Sequence, residues 1–289
     1  MKNKTFLYIG IVFIISYVWQ YLIFKTGGVG SPLFPFMMWF PGIIAVAFIL
    51  ISKTGFRKVG WGFKEWKYIF PAILIPLILS LSLMYLIKVL NWGEQTEKLF
   101  VFSGNMLEKS KIGLIFGNNQ QTISFFIFNI VASHLVFLIG GSILTLGEEL
   151  GWRGYLQEKL LQKYGLIWGL FILGAIWGYW HLPIILMGYN FPSQPILGAL
   201  LLMPLGTTFL GIFLGWIYLR SRSIWMPALA HTSINIFSGF LYSITMTQYE
   251  IFRQLLWIAA WGLVAYLCMR NLLKNQPNFW QETKKSIDK

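Results

Sequence analysis

Two adjacent carboxylates and a guanidinium stand at the end of a long apolar run, in the stretch Gly147-Glu148-Glu149-Leu150-Gly151-Trp152-Arg153-Gly154-Tyr155. A carboxylate at the centre of a lipid-embedded helix costs about 2.5–3.5 kcal/mol on insertion scales, so it is a functional candidate in its own right. Glu149 and Arg153 are spaced i, i+4, which on a helix places them on one face with the acid N-terminal to the base, the favoured order. Two neighbouring carboxylates in a low-dielectric setting resist joint ionisation and titrate as a coupled pair. That makes one of them a candidate general base near neutral pH. Taken alone, the stretch fits an ion pair that merely ends the apolar run equally well, because structural pairs are perturbed in the same way.

Two further clusters supply partners. His181 closes Trp177-Gly178-Tyr179-Trp180-His181, one helical turn from Trp177. His231 and Asn235 are again i, i+4, in His231-Thr232-Ser233-Ile234-Asn235. Histidine and asparagine can donate hydrogen bonds to a developing oxyanion, and imidazole can ligate a metal. A pair of this kind can also serve only to join helices. What shifts the balance is that three apolar segments each place their strongly polar residues together, and buried polar groups need partners. His134 has no polar companion one turn on and reads as structural, as a lone histidine on an apolar face usually is.

Several chemistries are excluded. Asp288 is the only aspartate and lies at the far C-terminus, so a membrane aspartyl dyad is absent. None of His134, His181 or His231 opens an HExxH motif, which removes the zincin pattern. Gly140-Gly141-Ser142 resembles a Gly-x-Ser only in outline; small residues in a membrane helix serve close packing. Cys268, the single cysteine, permits no internal disulfide.

The elements that must position these groups are membrane helices. The 289 residues are 56% hydrophobic and 11% charged, against about 25% charged in soluble domains. Spanning the hydrocarbon core takes about 20 apolar residues, and eight segments qualify: Phe6–Phe24, Leu33–Ile51, Ile69–Leu90, Thr122–Leu146, Leu166–Leu186, Ile196–Leu219, Trp225–Ile244 and Ile251–Met269. Lys2 and Lys4 precede a first run too long for a cleaved signal. The net charge of +13 sits in the gaps between spans, which points to topology and anionic lipid rather than nucleic acid. Basic residues fall mainly in alternate gaps, so the positive-inside rule places both termini in the cytoplasm. The expected fold is an all-α polytopic membrane bundle of about eight helices. Residues 1–270 form one membrane domain and 271–289 a basic cytoplasmic tail. The polar connection 91–121 reads as a loop with short helical pieces.

The three motifs resemble those of the CPBP family, also called Abi, the CAAX-protease and bacteriocin-processing membrane enzymes. Its EExxxR is met by Glu148-Glu149-Leu150-Gly151-Trp152-Arg153 and its HxxxN by His231 through Asn235. Its FxxxH is met by Trp177 through His181, with tryptophan in place of phenylalanine. The resemblance covers roughly 122–243. It implies an intramembrane endopeptidase acting on a membrane-tethered protein or peptide, of which prenylated CAAX proteins and bacteriocin-like precursors are two kinds. By carry-over, Glu148 with His181 activates water, His231 and Asn235 stabilise the oxyanion, and Glu149 and Arg153 orient the helix and the other acid. Glu148, Glu149, His181, His231 and Asn235 are thus the expected catalytic set, with Arg153 and Trp177 supporting. The family is classed among metalloproteases, which makes Glu148, His181 and His231 a possible Zn²⁺ set with an open fourth position; a metal-free glutamate base with an oxyanion hole is the other reading. The resemblance also allows a non-catalytic scaffold or a bacteriocin self-immunity protein. A proton-relaying transporter is a third reading of the glutamate pair. Abundant Lys, Asn and Ile point weakly to a bacterium, and so to its plasma membrane.

Overall fold

The computed structural model describes residues 2–52, 59–63, 65–92, 100–110, 113–242 and 250–274. Ten helices carry the described chain: α1 (Lys2–Lys25), α2 (Phe40–Ser52), α3 (Ile69–Val89), α4 (Ile123–Gly151), α5 (Glu158–Trp180), α6 (Leu182–Leu186), α7 (Pro195–Leu197), α8 (Met203–Ser221), α9 (Trp225–Tyr242) and α10 (Glu250–Lys274). Each of the eight expected segments falls largely on this helical framework, and the last two residues of Trp225–Ile244 lie outside the described residues. Among the described residues, six helical stretches are long and apolar enough to cross a membrane. α9 is not one of them; it carries His231, Thr232, Ser233 and Asn235, which lower its hydropathy.

The fourth expected segment and the fifth as far as Trp180 belong to one helical run, Ile123–Trp180, and the end of the fifth forms α6. α4 passes through a π-helical stretch, Trp152–Gln157, directly into α5. The reversal comes at Gly165, whose φ of 77° and ψ of 174° are open to glycine rather than to other residues. Beyond it the chain folds back, so that a Cβ on Gly169 would lie 2.9 Å from Leu161 Cα. Eight residues apart on a straight helix, those positions would stand about 12 Å apart.

Small residues let the helices approach. Gly174 and Gly178 of α5 lie against Thr207 and Pro204 of α8, and Thr207 Oγ1 donates to Gly174 O at 3.0 Å. On α4, Gly141 packs on Thr232 of α9, and Thr145 Oγ1 donates to Ala228 O at 2.8 Å. The C-terminal turns of α4 press Gly147 and Gly151 onto the start of α2 and the 3₁₀ turn Pro35–Trp39 before it. Most of the buried apolar side chains belong to one cluster running through these helices, while α1, α3 and the N-terminal part of α4 expose rows of large apolar residues.

The connection before α4 corrects one expectation. Where short helical pieces were expected, its described residues hold a three-stranded antiparallel sheet of β1 (Phe100–Ser103), β2 (Met106–Ser110) and β3 (Asn119–Thr122). Phe100, Val101 and Phe102 favour a strand, and Gly104-Asn105 makes the two-residue turn between paired Ser103 and Met106, with Gly104 at φ 52°. Gly-Asn after an aromatic and β-branched run was the available hairpin signal. The charged tail expected from 271 lies outside the described residues from 275 on; α10 itself continues to Lys274.

The glycine contacts give a graded prediction. A Cβ on Gly147 would lie 2.6 Å from Met38 O and Trp39 Cα, whereas one on Gly140 meets nothing within 4 Å. Gly147→Ala therefore lowers thermal stability of the detergent-solubilised protein, by about 1–3 kcal/mol as for an overpacked core, and Gly140→Ala leaves it unchanged. Equal melting temperatures for the two variants would show that the α2–α4 contact is loose.

Candidate active site

Two of the three polar clusters owe their place to a helix end or a break. Glu148 and Glu149 occupy the last turn of α4, where the π-helical stretch begins. His181 sits between α5 and α6, at the break imposed by Pro183. That proline has no N–H and its ring opposes a continued helix. His231 and Asn235 lie one turn apart on α9.

Glu149 is fully buried and holds the assembly together. Its Oε1 accepts from Arg153 Nη1 at 2.9 Å and pairs with His231 Nδ1 at 2.8 Å. Arg153 is also fully buried, and its guanidinium stacks on the Trp177 ring with Cζ 4.8 Å from the centroid, a cation–π contact. Trp177 Nε1 in turn donates to Glu148 Oε2 at 2.6 Å. Across from it, the His231 ring stands edge-on to Trp177 at 5.2 Å. The tryptophan standing where the resembling family has phenylalanine thus does more than supply a wall, because phenylalanine has no donor for Glu148.

The two histidines present the same nitrogen. His181 Nδ1 lies 3.0 Å from Trp177 O, and a carbonyl can only accept, so Nδ1 carries the proton and Nε2 keeps its lone pair. His231 has its Nδ1 engaged by Glu149, which likewise leaves Nε2 for other work. A carboxylate or carbonyl behind an imidazole fixes its tautomer and orientation.

Glu148, Trp177, His181, His231 and Asn235 line one cavity of about 330 Å³. Phe34, Met37 and Met38 before α2 and Arg253, Gln254 and Trp257 of α10 complete its walls, residues that no motif had marked. Glu149 and Arg153 do not line it; they stand behind His231 and Trp177. Asn235 is exposed within it. The remaining candidates fall elsewhere. His134 Nδ1 meets Ile130 O at 2.7 Å, and the ring lines a separate apolar cavity with residues of α3. Ser142 Oγ donates to Leu138 O at 2.5 Å within its own helix.

A zinc site fits poorly. Among the described residues, no three His, Cys, Asp or Glu side chains are grouped so as to hold one metal ion. One oxygen of Glu148 is taken by Trp177, and the neighbouring carboxylate is committed to Arg153 and His231.

The fold and site together define a helical-bundle protein with a carboxylate–histidine centre walled into a cavity between apolar helices. Residues 128–237 match the Rce1-like family, described as type II CAAX prenyl endopeptidase Rce1-like. A CAAX prenyl protease 2 of Methanococcus maripaludis is 32% identical over 124 residues, a stretch covering 41% of this chain and 45% of that protein. The chain thus spans less than half the length of the curated relative it matches. The resemblance carried by the three motifs is borne out, and the matched segment contains all of them. With its apolar helical stretches, the chain is a multi-pass membrane protein.

Trp177 offers the most specific test of this geometry. A hydrogen bond to a charged group is worth about 1.5–3 kcal/mol. Trp177→Phe removes the donor to Glu148 while keeping an aromatic ring, so thermal stability falls by an amount in that range. Trp177→Phe protein melting like wild type would show that Glu148 does not depend on the indole.

Proposed function

We propose that the protein is an intramembrane endopeptidase that hydrolyses a peptide bond of a membrane-tethered substrate, working from a glutamate and two histidines without a metal. A prenylated CAAX-type protein is the substrate class to try first, with bacteriocin-like precursors second; a bacterial plasma membrane is the proposed setting. The observation that carries this reading is that Glu148, His181, His231 and Asn235 line one cavity, while Trp177 O and Glu149 engage the Nδ1 atoms of the two histidines and leave their Nε2 atoms without a protein partner among the described residues.

The chemistry follows from those groups. A water in the cavity gives a hydrogen bond to His181 Nε2 and its proton to Glu148 as its oxygen attacks the carbonyl carbon. The oxyanion that forms accepts from the Asn235 amide and from His231 Nε2–H. Two states put a proton on that nitrogen: an imidazolium facing the Glu149 carboxylate, or a neutral ring whose Nδ1 accepts from protonated Glu149. When the tetrahedral intermediate collapses, the C–N bond breaks and Glu148 returns its proton to the leaving amine. Glu149 and Arg153 touch no substrate in this scheme; they hold His231 and Trp177. No step passes through a metal ion.

The test is cleavage of a prenylated CAAX peptide, with an unprenylated control, by protein reconstituted in liposomes. Loss of a general base or an oxyanion donor costs about 10²–10⁴-fold, so Glu148→Gln and His231→Ala each lower cleavage by that order. Activity in wild-type protein survives chelation, with metal absent by elemental analysis. Full activity in either variant overturns the mechanism, and activity lost to chelator and restored by Zn²⁺ overturns the metal-free form of it.

A further inference from the structure

α1 lies outside the matched segment 128–237, yet it meets the backbone where the helix carrying His181 is broken. Pro183 breaks α5 from α6, and the break takes away the i+4 donors of two consecutive carbonyls. In an uninterrupted helix, Tyr179 O would accept from the N–H of residue 183 and Trp180 O from that of Ile184. Proline has no N–H to give. Tyr17 Oη donates instead to Tyr179 O at 2.6 Å. Gln20 completes the repair from both ends: its Nε2 donates to Trp180 O at 2.9 Å, and its Oε1 accepts from Ile184 N at 3.0 Å. The side-chain amide is thus inserted into the missing Ile184–Trp180 bond. Tyr17 and Gln20 are three residues apart and share a face of α1. Gln20 is fully buried.

His181 is the residue enclosed by these contacts. Its Nδ1 bonds to Trp177 O, its N–H to Gly178 O, and its own carbonyl accepts from Ile185 N at 3.0 Å. The orientation of its ring into the cavity is set by how far the chain opens between Trp180 and Ile184. We infer that Gln20 is a positioning residue for His181: the amide fixes the width of the break and thereby the place of Nε2 in the cavity. The inference rests on the proposed hydrolytic role of His181 for its kinetic consequence, but not for its structural one. A site defined by motifs on α4, α5 and α9 would then depend on a first helix that carries none of them.

The experiment uses the full chain, which contains three histidines. Selective ¹⁵N labelling of those imidazoles reports the tautomer and surroundings of His181 directly, with His134 as an internal reference. In Gln20→Met, which keeps the bulk and removes both hydrogen bonds, the His181 signals shift or broaden while those of His134 stay in place. Cleavage shows kcat reduced about tenfold or more, within what a small misplacement costs, with KM changed less than twofold. Gln20→Asn draws the amide back by one methylene and gives the same pattern more weakly, which covers the case that the methionine variant does not fold. Unchanged His181 signals in a folded variant overturn the inference, whether or not stability falls. If wild-type protein cleaves none of the peptides tried, the proposed function fails while the histidine spectra still decide the role of Gln20.

Discussion

One carboxylate oxygen carries the arrangement. Glu149 Oε1 receives both the Arg153 guanidinium and the His231 ring, with all three groups nearly or wholly removed from solvent. Removing one partner of a buried ion pair leaves the other charge stranded, at about 3–5 kcal/mol. The same contact joins α4 to α9, and it continues a stripe already set by packing. Gly141, Thr145 and Glu149 recur at four-residue intervals on α4 and meet Thr232, Ala228 and His231 of α9. The stripe brings the two helices close with small residues and then ends on a charge. Glu149 is spent in this way, and of the two acids it is the adjacent Glu148 that lines the cavity.

Trp177 is the second joint. Its ring lies under Arg153, its N–H holds Glu148, and its carbonyl fixes the tautomer of His181. Through this one residue the carboxylate pair on α4 and the histidine at the end of α5 are set relative to each other. The helix break after it frees His181 from a regular turn, and α1 supplies the hydrogen bonds that a regular turn would have made. The helices that carry the site are bent elements, with a π-helical stretch, a reversal at Gly165 and a proline break, and at the proline break the backbone groups are answered by side chains of α1. Irregular backbone among apolar helices is tolerated where neighbours supply such partners.

Much of this was legible in the sequence, and the reason is the scarcity of charge. In a chain with 11% charged residues, acids, arginine and histidine inside apolar runs identify themselves, and spacing of four residues reports a shared helix face. The helix framework followed from hydropathy for the same reason. What spacing could not report is contact between helices. The indole of Trp177 looked like a wall because its N–H partner is 29 residues away. Gln20 has the signature that singled out His181, a polar residue in an apolar run, but nothing local pairs with it; its partners are 160 and 164 residues distant. The strands before α4 were obscured by a different cause. They are short and polar on one side, and only the Gly104-Asn105 turn distinguishes them from a loop.

The central claim is that Glu149 acts through His231 rather than beside it. A double-mutant cycle on cleavage, with Glu149→Gln, His231→Ala and both together, tests it most directly. If the carboxylate serves to hold the imidazole, the double variant is no slower than the slower single variant, because residues that act as a unit are not additive. If the two losses multiply in the double variant, the residues act independently, and the account of this site is wrong.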